Sequence, residues 1–187
     1  MSLLLEELSA GLPDADELAR IFIRLIAASV LGAVIGLQRE SVGAAAGLRT
    51  HMLVTLGAAL FVLAPLSVGM SDAELSRVIQ GVATGIGFIG GGAVLKLAAE
   101  REIHGLTTAA SIWLATAAGI AVGIGRIGLA AFGVALSWVI LSIVGRFERR
   151  AFAHASTAGD EAGGEAQVRD QAGERAVLLS PVQTKNE

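Results

Sequence analysis

Four stretches of this sequence carry no charged side chain and are each long enough to cross a lipid bilayer: Met52–Ser71, Val78–Leu95, Gly105–Gly125 and Ile127–Gly145. A hydrocarbon core about 30 Å thick takes roughly 17–25 apolar residues of helix. Inside it every backbone N–H and C=O must be satisfied within the protein, which leaves helices or closed barrels. These runs are too long for strands and lack a two-residue alternation, so the chain is expected to be all-α. A fifth run, about Leu18–Leu37, is apolar except for Arg20 and Arg24. Arg20 can sit among headgroups, and Arg24 can snorkel to the same surface. Asp14, with Glu17 three residues on, marks a helix start for this span. The expected fold is a polytopic membrane helix bundle of five transmembrane helices.

Composition agrees. Charged residues are only 17% of the 187, and aromatic residues only 4%, whereas there are 24 glycines. Such a chain lacks the polar surface of a soluble domain, which averages about 25% charged residues. Its helices must pack through small residues, because lipid provides no hydrophobic push between them. The absence of cysteine excludes disulfides, thiolate metal sites and thiol catalysis. The net charge of −3 comes entirely from the end of the chain, since residues 1–150 balance at 11 Lys/Arg and 11 Asp/Glu. No basic block marks a nucleic-acid partner. Glu6 and Glu7 stand where a signal peptide needs positive charge, so the N-terminus reads as mature protein.

Loop charges set an orientation. With the C-terminus in the cytoplasm, Arg39, Arg49, Lys96, Arg101, Arg146, Arg149 and Arg150 lie inside, against Arg20, Arg24, Arg77 and Arg126 outside. That bias obeys the positive-inside rule. Residues 1–17 then form an extracytoplasmic segment and 18–146 the five-span domain. The Ala/Gly/acidic composition of 147–187 is that of a largely disordered cytoplasmic tail.

Two constellations stand out. In the third span, Gly85, Gly87 and Gly90 match the dinucleotide fingerprint GxGxxG, but no strand precedes them and they lie mid-span, so that reading fails. Gly81/Gly85 and Gly87/Gly91 are instead small-xxx-small pairs, as are Gly32/Gly36 and Gly119/Gly123. Gly90-Gly91-Gly92 either packs helices or breaks the third helix and exposes carbonyls to a cavity. Gln80, Thr84, Gly87 and Gly91 share a helix face, which is expected to look into the bundle. Thr107 and Ser111 form a similar stripe on the fourth span.

The second constellation gathers at the cytoplasmic ends of the spans. Arg39 and Glu40 close the first span, Arg49, Thr50 and His51 open the second, and His104, Thr107 and Thr108 open the fourth. Two readings stay open. Arg39, Arg49, His51 and His104 meet at an anion-friendly mouth near helix N-termini, or the arginines snorkel and pair with carboxylates such as Glu40. No nucleophile–base–orienter set is visible, so catalytic residues, cofactor and metal site are not expected and the chain is read as a non-enzyme.

At these residues the chain resembles a known family. Ala46-Gly47-Leu48-Arg49-Thr50-His51, Gly85-Ile86-Gly87-Phe88-Ile89-Gly90 and His104-Gly105-Leu106-Thr107-Thr108-Ala109-Ala110 are similar, in order and spacing, to the three hallmark blocks of the MgtC/SapB family. Gly36-Leu37-Gln38-Arg39-Glu40 looks like that family's first-span ending. The resemblance covers about residues 20–147. It implies a bacterial inner-membrane protein of five spans, tied to survival in low magnesium, to virulence and to modulation of ATP synthase. This chain departs by lacking the folded cytoplasmic domain of the virulence type, and by Gly90-Gly91-Gly92 in place of Gly-Ala-Gly. The expected role is regulatory or accessory, through helix contacts with another membrane protein or a second copy within the bilayer. The alternative is a magnesium or other small-ion transporter or channel. Against transport stands the lack of Asp or Glu within the spans, since hard divalent cations want several oxygen ligands.

Overall fold

The computed structural model describes residues 14–95 and 105–144. Within them lie five helices: α1 (Ala15–Ser41), α2 (Leu48–Ser67), α3 (Asp72–Leu95), α4 (Leu106–Ile124) and α5 (Ile127–Val144). The fold is all-α, and α1, α2, α4 and α5 are long and apolar enough to cross a membrane. α3 contains the charge-free run that begins at Val78. The expected N-terminal segment and cytoplasmic tail fall outside the described residues, except for Asp14–Glu17.

Local chemistry sets the helix ends. The Asp14 carboxylate accepts a 2.7 Å hydrogen bond from Glu17 N–H, the cap anticipated for the first span. At the start of α3, Ser71 and Glu74 form a capping box, with Ser71 Oγ donating to Glu74 Oε2 over 2.7 Å. α4 ends where Gly125 turns to φ +94°, a left-handed conformation open to glycine. There Gly125 N–H reaches Val122 O and Arg126 N–H reaches Ala121 O, each at 2.8 Å. Two helix-terminal carbonyls are thereby satisfied at a membrane edge.

α1, α2 and α4 form the tight part of the bundle. Its core is built from Ala28, Ile35, Ala59, Ala115, Ala118 and Val122, joined by Ala130 and Val134 of α5. Small residues let the axes close. A Cβ on Gly36 would sit 2.6 Å from Leu48 Cα, and one on Gly123 would sit 2.7 Å from Val62 Cβ. Gly32 and Gly119 press on α2 in the same way, against His51, Thr55 and Ala58. The pairs Gly32/Gly36 and Gly119/Gly123 are therefore helix-packing sites on the two flanks of α2. Arg24 does more than snorkel: its Nη1 donates to Gly123 O at 3.0 Å, tying α1 to the C-terminal end of α4, where the helix dipole is negative.

α3 differs from this trio. It leans on α4 and meets α2 only sparsely. Its helix runs unbroken through Gly90-Gly91-Gly92, so of the two readings of that run the break does not occur. The stripe Gln80, Thr84, Gly87 and Gly91 faces outward rather than into the bundle. Among the described residues a Cβ on Gly81, Gly85, Gly87 or Gly91 would meet nothing within 4 Å, so there these glycines do not bring two backbones together. Only Gly90 is buried, its Cβ position 3.7 Å from Ala109 Cβ. The reason is rotational: the buried face of α3 runs through Leu75, Ile86 and Gly90, and the Gln80 stripe lies to one side of it.

Candidate functional site

The polar residues of the interior collect where α1 ends and α2 and α4 begin. Gly43 and Ala44 turn the chain out of α1 by donating to Glu40 O and Arg39 O, each at 3.0 Å. The turn returns Glu40 to the start of α2, where its Oε2 accepts from Leu48 N–H at 3.0 Å. Gly47 has no side chain to cap α2, and the Glu40 carboxylate supplies that acceptor at the positive end of the helix. Glu40 is thus a helix cap.

His51 lies one turn deeper and is fully buried. Its Nδ1 is 2.8 Å from Gly47 O and its Nε2 is 3.0 Å from Ser111 Oγ. A carbonyl can only accept, so Nδ1 carries the proton. In the neutral ring Nε2 is then an acceptor, and the Ser111 hydroxyl donates to it. The single proton of that hydroxyl is shared with a competing acceptor, Thr108 O, at 2.8 Å. Thr55, also fully buried, donates from Oγ1 to His51 O at 2.9 Å. The result is a buried polar clasp between α2 and α4.

Arg39 stands at the edge of this cluster on the inner face of α1, only 8% exposed. Its Nε has no hydrogen-bond partner among the described residues, and neither does Oε1 of the preceding Gln38. A buried guanidinium thus closes the same end of the bundle that the His51 clasp occupies.

Of the four residues of the anticipated mouth, Arg39, Arg49 and His51 are described, and these three do not face one opening. Arg39 and His51 converge, but both His51 nitrogens are engaged inside the bundle and offer nothing to an anion. Arg49 is exposed and points toward α3, because residues 49 and 51 lie about 200° apart around a helix. Thr50 is half-buried, Thr107 is exposed and Thr108 is buried. His104 lies outside the described residues. On α4 the buried polar pair is therefore Thr108 and Ser111, not Thr107 and Ser111. The sequence reading does not single out the buried Thr55 and Thr116. Thr55 was legible as the residue four beyond His51, on the same face of α2. Among the described residues there is no group of three or more His, Asp or Glu side chains placed to hold a metal ion.

Comparison with known proteins places this arrangement. The profile of the MgtC family matches residues 25–150, which include the whole polar cluster and all of α2, α3 and α4. The chain belongs to the MgtC family. Among its relatives, Protein SrpB of Synechococcus elongatus is 40% identical over 152 residues, covering 75% of this chain and 83% of SrpB. Putative magnesium transporter YhiD of Escherichia coli is 38% identical over 132 residues, 67% of this chain and 60% of that protein. Protein MgtC of Salmonella typhimurium is 38% identical over 104 residues, covering 56% of this chain and 43% of MgtC. The chain therefore spans most of SrpB but less than two thirds of YhiD and less than half of MgtC. No solved structure matches it. As an MgtC-family member with several membrane-crossing helices, it is a multi-pass membrane protein. The clasp from α2 to α4 and the buried Arg39 lie within the residues that the MgtC profile matches.

Proposed function

We propose that this MgtC-family chain is a regulatory or accessory protein of the bacterial inner membrane, linked to adaptation to low magnesium. It acts by contact with another membrane protein, and it is neither an enzyme nor a self-sufficient magnesium carrier. The N-terminus lies outside and the C-terminus in the cytoplasm, following the cation bias of the loops.

The observation that carries this reading is the outward face of α3. Gln80, Thr84, Gly87 and Gly91 are all exposed on a helix that carries no charged side chain from Val78 to Leu95. Polar side chains and bare glycine backbone are poor surfaces for lipid, and small residues are what membrane helices use to approach one another. Such a stripe suits a protein partner. The bundle interior, in contrast, suits an ion poorly. Its hydroxyls and imidazole bond to each other and to backbone, and the one buried charge among the described residues, Arg39, is a cation that repels Mg²⁺.

A photocrosslinking residue at Thr84 or Gly87, introduced in cells, tests the reading. The expected result is a discrete adduct to another membrane protein, absent when the same residue replaces Leu129 on the lipid-facing side of α5. Adducts to lipid alone from both positions would refute it. The second reading, transport, is favoured by one finding, the likeness to a relative named as a putative magnesium transporter.

A further inference from the structure

The opposite side of α3 carries a different feature. Between α2 and α3 lies a groove of about 760 Å³, with Thr116 of α4 at its floor. It exists because α3 rests on α4 while Gly57, Gly81 and Gly85 contribute no side chain to close the space toward α2. Its walls are otherwise apolar, with Leu53 and Phe61 from α2 and Val82 and Ile89 from α3. One end is polar, where Arg49 stands beside Thr50.

We propose that this groove binds an acyl chain of an anionic phospholipid, with its phosphate held by the Arg49 guanidinium at the membrane surface. Length supports a lipid. From Arg49 to Phe61 the groove follows α2 for about 18 Å, at a rise of about 1.5 Å per residue. One leaflet is half of a hydrocarbon core roughly 30 Å thick, so the groove matches a single leaflet rather than a full span. Charge supports an anionic headgroup, since Arg49, the one cation among the described lining residues, sits where the phosphate of such a chain would lie. Volume fits as well: small-molecule pockets of this apolar kind run about 300–1,000 Å³ with a few polar groups fixing orientation. A packed helix would instead continue past Phe61 across the other leaflet. The groove face of α3 (Val78, Val82, Gly85 and Ile89) lies about 180° from the Gln80–Gly91 stripe, so lipid and protein partner occupy separate sides.

The test uses the full-length chain reconstituted in vesicles of equimolar phosphatidylglycerol and phosphatidylcholine, then extracted in mild detergent for native mass spectrometry of retained lipid. The parent is expected to retain phosphatidylglycerol over phosphatidylcholine by about fivefold, the scale of one basic residue near an anionic surface. Arg49→Gln should abolish the preference while lipid is still retained. Gly85→Leu should remove retained lipid by filling the groove, and its Cβ meets nothing within 4 Å that would oppose folding. A phosphatidylglycerol carrying a photoactivatable group in its tail gives a second measure on the parent alone, with labels expected on Leu53, Phe61 and Ile89. Equal retention of the two lipids by the parent would overturn the proposal, as would unchanged retention in Gly85→Leu. So would a Gly85→Cys variant that cross-links to a second copy or another protein in membranes, since a helix would then fill the groove.

Discussion

Gly119→Ala, set against Gly85→Ala, isolates the energy of close helix packing. Both replace a glycine within a helix, so both gain the same helix propensity, about 1 kcal/mol for Ala over Gly. Their surroundings differ. A Cβ on Gly119 would press on Thr55 O and stand 2.8 Å from Ala58 Cβ, both on α2, whereas a Cβ on Gly85 meets nothing within 4 Å. Neither neighbour of Gly119 is the far end of a flexible side chain, so α2 and α4 must separate by roughly 1 Å. Overpacking of this kind costs about 1–3 kcal/mol. The same separation would stretch the 3.0 Å contact of His51 Nε2 with Ser111 Oγ beyond hydrogen-bonding distance. For a chain of this size 1 kcal/mol corresponds to about 2–4 °C in Tm. Gly119→Ala is therefore expected to melt roughly 5 °C below Gly85→Ala in the same detergent. Equal melting temperatures would refute the close contact of α2 and α4 at Gly119 and the packing role given to the Gly119/Gly123 pair.

Other outcomes follow from the same contacts. Ser111→Ala leaves His51 Nε2 buried without a partner, which should cost about 1–3 kcal/mol in thermal or denaturant unfolding in detergent, and Ser111→Thr should restore most of it. Gly87→Leu should leave the melting temperature of the isolated chain nearly unchanged, because its Cβ position is open, yet abolish the adduct expected from a photocrosslinker at Thr84. A cytoplasm-active reporter fused after Arg150 should be active and one inserted near Asp72 inactive; activity at Asp72 would overturn the orientation.

Much of this architecture was legible before any coordinates. Charge-free runs located the helices, Asp14 and Glu17 located the first cap, and small-xxx-small spacing located the glycines that pack α1 and α4 on α2. The α3 stripe was read correctly as one face but assigned to the wrong side. Its periodicity says only that Gln80, Thr84, Gly87 and Gly91 travel together, and a face meant for a partner has the same spacing as one meant for the bundle. The polar cluster at the starts of α2 and α4 is hard to read from sequence for a related reason. Arg49 and His51 are neighbours in sequence, but helix geometry turns one toward α3 and the other into the core. The Glu40 cap on α2 was hidden because it depends on the turn at Gly43, which returns a helix-terminal carboxylate to the next helix start.

The claim that this chain is an accessory protein, and not itself a magnesium carrier, meets its most direct test in sealed proteoliposomes loaded with a magnesium-sensitive dye. A divalent ion about 8 Å from the Arg39 guanidinium is repelled by roughly 4 kcal/mol at an effective dielectric of 20, and the described interior offers it no carboxylate cluster in return. Vesicles holding folded protein should therefore match empty vesicles in magnesium entry. Flux well above that of empty vesicles, and lost in Gly91→Val, would contradict the account and make the protein a carrier or channel.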